Sequence, residues 1–141
     1  MSEFLDHRSL EAWQVAMDTV MEVYAVSADF PTTERYGLVS QIRRAAVSVP
    51  SNVAEGQARG LARACLNQLT IALGSLAEVE TQLEIASRLN YVTRPRAEKL
   101  QRLIVSSRKL IAGLRRAKAA RLGISATGAV CVLLIGLHFF I

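Results

Sequence analysis

Two cysteines and two histidines in 141 residues leave little material for metal or redox chemistry. Cys65 and Cys131 sit in separate apolar, helix-like stretches and share no ligand spacing. That excludes a disulfide framework, a zinc knuckle and an iron–sulfur site, and suits a reducing, cytoplasmic compartment. His7 precedes the first helical pattern and His138 lies in the last apolar run, so no inward-facing Glu-x-x-His pair of the di-iron bundles exists. The sequence also lacks GxGxxG and GxxxxGKS phosphate loops and the GxSxG elbow. Glu80 and Glu84 lie one helical turn apart, but carboxylates so placed are ordinarily a solvated face or partners of nearby arginines. No catalytic residue, cofactor or metal ligand is therefore expected, and the protein reads as non-enzymatic. Eight glycines and three prolines are too few for the many tight turns of an all-β fold. Only eight residues are aromatic, and Trp13, Tyr24 and Phe30 fall where packing would use them. A platform for stacking nucleobases is thus not expected.

What is present is apolar and basic. The chain is 51% hydrophobic and 21% charged, which excludes wholesale disorder and gives enough material for one domain with a core. The net charge of +5 conceals an asymmetry. Residues 1–60 carry five basic and eight acidic side chains, whereas residues 61–121 carry twelve basic and four acidic. Within 94–121 ten basic residues face a single acid, Glu98, and the last twenty residues carry no charged side chain. A field of this sign attracts polyanions, either nucleic acid or anionic lipid headgroups.

Four helical segments follow from the spacing of apolar residues. The first runs from about Leu10 to Ala28, with Ser9 as its cap and Leu10, Trp13, Met17, Val20, Tyr24 and Ser27 along one stripe. Phe30-Pro31 ends it, and Thr32 or Thr33 with Glu34 opens the next. The second carries Leu38, Ile42, Ala45 and Val49. Pro50 must loosen its last turns, Ser48, Ser51 and Asn52 stand ready for the carbonyl it frees, and Gly56 is read as the left-handed stop. The third, roughly Leu61 to Leu89, repeats Cys65, Leu69, Ala72, Leu76, Val79, Leu83 and Ala86 without interruption, and Asn90 terminates it. Thr93 and Pro95 open the fourth, whose stripe is Leu100, Leu103, Ser107, Leu110 and Leu114.

Short connections between such helices favour antiparallel neighbours, so the expected fold is all-α, an up-down-up-down four-helix bundle over residues 1–121. Residues 1–30 lack the basic start and apolar centre of a secretory signal. Residues 122–141 form a separate apolar unit preceded by Arg115, Arg116, Lys118 and Arg121. Two readings of it stand: a C-terminal membrane anchor with its basic flank on the cytoplasmic side, or a fifth helix packed on the bundle.

The most informative segment runs from Gln41 to Gly56. Two adjacent arginines, Arg43 and Arg44, interrupt a mostly apolar helix there, and Arg59 and Arg63 follow just beyond. They either pair with Glu55, Glu78, Glu80 or Glu84, or contact phosphate. Phe30-Pro31, Glu34, Tyr36-Gly37-Leu38, Gln41-Ile42-Arg43-Arg44-Ala45, Ser48 through Gly56 and Ala72 through Glu78 together resemble the signature of bacterial four-helix bundle proteins encoded in intervening sequences of 23S ribosomal RNA genes, also called S23 ribosomal proteins. The resemblance spans about residues 4–117 and ends before the apolar tail. This family is similar to the accessory variability determinant protein of diversity-generating retroelements. The resemblance implies an antiparallel bundle that assembles into a homopentamer with a basic surface. For the retroelement relatives it implies binding of nucleic acid and of a reverse transcriptase.

The sequence thus points to an oligomeric, non-enzymatic bundle that binds nucleic acid, RNA in preference to DNA, through Arg43, Arg44, Arg59, Arg63, Arg102, Arg108, Lys109, Arg115 and Arg116. The rival reading is a protein–protein adaptor or structural oligomer, docked on a membrane by residues 122–141.

Overall fold

A computed structural model describes residues 6–124. These residues form four α-helices: α1 (Glu11–Ser27), α2 (Leu38–Arg59), α3 (Ala62–Arg88) and α4 (Arg94–Arg121). Short 3-10 turns at His7–Ser9 and Thr32–Glu34 precede α1 and α2, and no strand occurs among the described residues. Each helix packs on its chain neighbours, and α4 closes the ring against α1. Apolar faces enclose a core whose fully buried members include Ile42, Leu69, Leu76, Leu100, Ile104 and Ile111. Each such side chain contributes about 1.5–3 kcal/mol by leaving water. This is the expected four-helix bundle. No helix among the described residues is long and apolar enough to cross a membrane. Both readings of the apolar tail concern residues that, beyond Ile124, lie outside the described ones.

The stripe of α3 is buried as its spacing predicts: Cys65, Leu69, Ala72, Leu76, Val79, Leu83 and Ala86 all face inward. The helix stops where Asn90 adopts φ 58°. Asn90 N–H then reaches the Ser87 carbonyl and Tyr91 N–H the Ala86 carbonyl, the paired bonds of a Schellman motif. The phase of α1 differs from the expectation. Ala12, Ala16, Thr19, Val23 and Val26 hold the centre of its buried face, while Trp13 and Met17 are half-buried and Tyr24 is exposed. Small side chains let the helix axes approach, and the larger ones are displaced to the flank facing α2. In α4 the centre is likewise Leu100, Ile104, Ser107 and Ile111, with Leu103, Leu110 and Leu114 half-buried beside it. Thr19 and Ser107 meet inside the bundle with their hydroxyl oxygens 2.9 Å apart, and Thr19 also donates to the Val15 carbonyl.

Three local expectations are corrected. Ser9 does not cap α1; its hydroxyl donates back to the Asp6 carbonyl, and Leu10 occupies the cap position. Gly56 does not end α2. It is buried inside that helix, and a Cβ on it would lie 3.1 Å from Gln68 Cβ and 3.3 Å from Cys65 Cα. Its role is close approach of α2 to α3, and the left-handed stop falls on Gly60 at φ 68°. Pro50 stays within α2, but Ser51 and Asn52 bond to the carbonyls of Val47 and Ser48 rather than to the one proline frees. The start of α2 is fixed by Glu34, whose Oε2 accepts from Leu38 N–H at 2.9 Å while its Oε1 accepts from Tyr91 O–H at 3.3 Å.

Candidate nucleic-acid interface

The nine basic residues singled out by sequence sort into three groups. Arg43 is committed to the fold. Its Nε donates to Ser27 Oγ at 2.8 Å, and its guanidinium carbon lies 4.5 Å from the centre of the Tyr24 ring. No carboxylate serves it; the hydroxyl and the ring of α1 take the place of the expected acid. Arg59 and Arg108 are paired. Arg59 bonds Glu55 one turn earlier at 2.6 Å, and Arg108 bonds Glu80 of α3, whose other oxygen accepts from Gln101 Nε2 at 2.6 Å.

The remaining six, Arg44, Arg63, Arg102, Lys109, Arg115 and Arg116, are exposed and make no hydrogen bond or ion pair among the described residues. Arg102, Lys109 and Arg116 recur every seven residues. An α-helix carries such residues on one face, about 10.5 Å apart. Because Leu100, Ile104, Ser107 and Ile111 face inward, this row lies on the side of α4 opposite the core. Between its members that side offers Ser106 and Gly113 and no acid, and Glu98, one turn before Arg102, bonds Arg94 instead. The row is a straight cationic ridge about 21 Å long, with no aromatic side chain on it.

The antiparallel topology brings a second set together at one end of the bundle. The start of α3 lies beside the end of α4, where Lys118 is close enough to act on Cys65. Burial pushes the Cys65 thiol up, and the Lys118 ammonium pulls against that shift. Arg63, on α3, therefore joins Arg115, Arg116, Lys118 and Arg121 at this end. Arg44 stands apart, in a groove between α2 and α3. Other cations are neutralised: Lys99 bonds Glu22 at 2.8 Å, Arg88 bonds Glu84 at 2.8 Å, Arg94 bonds Glu98 at 3.2 Å, and Arg96 bonds Asp29. Among the described residues no cluster of His, Cys, Asp and Glu could hold a metal ion.

A family model described as 23S rRNA-intervening sequence protein matches residues 8–113, which include α1, α2, α3 and most of α4. The chain belongs to this family. Its fold is also that of a solved structure, a protein of unknown function from the S23 ribosomal protein family of Bacteroides thetaiotaomicron VPI-5482. The two superpose with a TM-score of 0.69 at 21% identity, covering 74% of this chain and 95% of the other. No curated protein matches the sequence. The family match ends at residue 113, so Arg115, Arg116, Lys118 and Arg121 lie beyond it while Arg102 and Lys109 lie within it.

Proposed function

We propose that this 23S rRNA intervening-sequence protein is a non-catalytic, oligomeric bundle that binds structured RNA through its phosphates, with the outer face of α4 as the contact surface. The observation that carries this reading is the unpaired row Arg102, Lys109 and Arg116, turned away from the core. Arg94, Arg96, Lys99 and Arg108 of α4 each bond an acid; no member of this row does, since Glu98, one turn before Arg102, is bonded to Arg94. Arg115 and Arg63 extend the surface toward the end of the bundle. A ridge with no aromatic side chain suits a phosphate backbone held in a regular helix better than splayed single-stranded bases. The family's tie to ribosomal RNA genes favours RNA over DNA, whose duplex serves as the comparison.

The test is a titration of a structured RNA, with fluorescence anisotropy read from 50 to 200 mM salt. Counterion release gives a slope of about −0.9 per phosphate neutralised on duplex DNA and about −0.7 on single strands. Replacing Arg102, Lys109 and Arg116 together by Gln should flatten the slope by about two to three units. Absence of binding at low salt, or an unchanged slope in the triple variant, refutes the reading.

A second reading, a protein–protein adaptor or structural oligomer, is favoured by a different face. Between α1 and α2 an apolar groove of about 300 Å³ is lined by Trp13, Met17, Val20, Val47, Pro50, Ser51 and Ala54. Met21, one turn beyond Met17 on α1, is 65% exposed. A face of this kind suits contact with further copies of the chain, and the family resemblance implies five of them. A reverse transcriptase would be a partner only for a protein of the retroelement type. Membrane contact through residues 122–141 would direct the basic end of α4 at lipid headgroups. Light scattering decides self-association: a mass above 15.4 kDa by a whole multiple supports it, and a monomer at all concentrations rejects it.

A further inference from the structure

The groove that holds Arg44 is a polar site unrelated to the α4 ridge. Ser48 and Ser75 bond across it at 2.9 Å and set the register of antiparallel α2 and α3. One turn further on, that register places Arg44 opposite Glu78, and the next places Gln41 opposite Gln82. With Ala45 these side chains line an open space of about 270 Å³. Arg44 and Glu78 share this space without closing into an ion pair. Gln82 is 9% exposed, and its Oε1 is buried with no hydrogen-bond partner.

An acceptor buried without a donor bears the full desolvation cost of the group, so a guest that donates to it is favoured. The walls decide what kind of guest. Six of the seven lining residues are polar, which disfavours a lipid or an apolar ligand. No aromatic ring lines the groove, so a nucleobase has nothing to stack on. An anion alone would meet Glu78, and a cation alone would meet Arg44. We propose that the groove binds a small zwitterion, a free α-amino acid. Its carboxylate lies on the Arg44 guanidinium, and its ammonium donates inward to Gln82 Oε1 and the Glu78 carboxylate. An ammonium has three donors, and Gln82 and Glu78, one helical turn apart on α3, line the groove with the two acceptors it would use.

The experiment uses the full chain without RNA. Calorimetric titration and thermal shift are run with each of the twenty standard L-amino acids, and with ethylamine and propionate as single-charge controls. The expected result is saturable binding of at least one amino acid and of neither control. Gln82→Met keeps the side-chain volume and removes the acceptor; Arg44→Gln alters an exposed site that folding does not depend on. Each should weaken binding at least about tenfold, the loss expected for one charge-assisted hydrogen bond. The proposal is overturned if no amino acid binds, if ethylamine or propionate binds as tightly, or if both variants bind as the parent does. The Arg102, Lys109 and Arg116 triple variant should retain amino-acid binding, so failure of the RNA reading and failure of this one are separable.

Discussion

Arg43 provides the sharpest separation of folding from binding, because sequence marks it as a phosphate contact and the structure packs it, half-buried, against α1. In Arg43→Met the apolar stem is kept and the guanidinium is lost. Three interactions go with it: the bond from Nε to Ser27 Oγ at 2.8 Å, a long bond from Nη2 to the Tyr24 carbonyl at 3.5 Å, and the stacking of the cation on Tyr24 at 4.5 Å. A hydrogen bond from a charged group contributes about 1.5–3 kcal/mol and a partly exposed cation–π contact about 0.5–1 kcal/mol. Ser27 Oγ retains its bond to the Tyr24 carbonyl, which places the sum near the lower end. The expected loss is about 2 kcal/mol, or about 8 °C in melting temperature for a domain of this size. Urea unfolding followed by circular dichroism, at one protein concentration and with an unchanged m-value, measures it. A cycle with Tyr24→Leu should return a coupling of about 1 kcal/mol. RNA affinity of the folded variant should keep the parent's salt slope. Unchanged stability together with a slope flatter by about one unit would refute the assignment, and Arg43 would then be a phosphate contact.

Gly56→Ala should destabilise by about 1 kcal/mol. The new Cβ meets Gln68 Cβ at 3.1 Å and Cys65 backbone at 3.3 Å, neither of which can swing aside, so crowding outweighs the helix-propensity gain of about 1 kcal/mol. Gly74→Ala is the matched control, since its Cβ meets nothing within 4 Å; it should stabilise by up to about 1 kcal/mol, and equal effects at the two sites would refute the packing argument. Tyr91 gives a pH dependence. Burial first, then the charge of Glu34 and the hydrogen bond to it, raises the Tyr91 phenol above its ordinary value of 10.0. A pKa raised in the folded state gives stability that is present below pH 10 and lost as pH climbs through the folded value. Alkaline melting curves of Tyr91→Phe should therefore fall less steeply above about pH 10 than those of the parent, and parallel curves would refute the coupling.

How far the sequence could be read differs from helix to helix, for physical reasons. In α3 the buried positions from Cys65 to Ala86 are apolar or small except Gln82, and only Leu66 and Leu73 compete from the flank, so spacing gives both period and phase. In α1 the period is right and the phase shifts, because hydrophobicity weights Trp13, Met17 and Tyr24 while close packing selects Ala12, Ala16 and Thr19. Gly56 shows the same limit. Its local context suits a helix stop, and only the approach of Cys65 on α3 reveals a packing glycine. At the candidate site the basic face of α4 is visible in composition, but pairing is not. Arg108 and Glu80 are 28 residues apart, and Arg43 and Ser27 are 16 apart. Gln82 carried no signal, since a polar residue on the flank of a helical stripe normally reaches water.

The basic row of α4 has a purely structural rival: cations near a helix C-terminus interact favourably with its dipole. That effect fades within the last turn, where only Lys118 and Arg121 stand. Arg102 lies nineteen residues before the end of the helix and Lys109 twelve, so the dipole gives no account of them. Neither does pairing. Elsewhere the chain sets Glu55 before Arg59 and Glu84 before Arg88, one turn ahead; Glu98 stands so before Arg102 but bonds Arg94, and Val105 and Ala112 hold the same positions before Lys109 and Arg116. The consequence is a contrast in stability. Neutralising Lys118 and Arg121 should cost about 0.3–1 kcal/mol each, whereas Gln at 102, 109 and 116 should leave stability within about 0.5 kcal/mol of the parent. If the row proves as costly to remove as the two terminal cations, it belongs to the fold, and its lack of partners would no longer argue for a ligand.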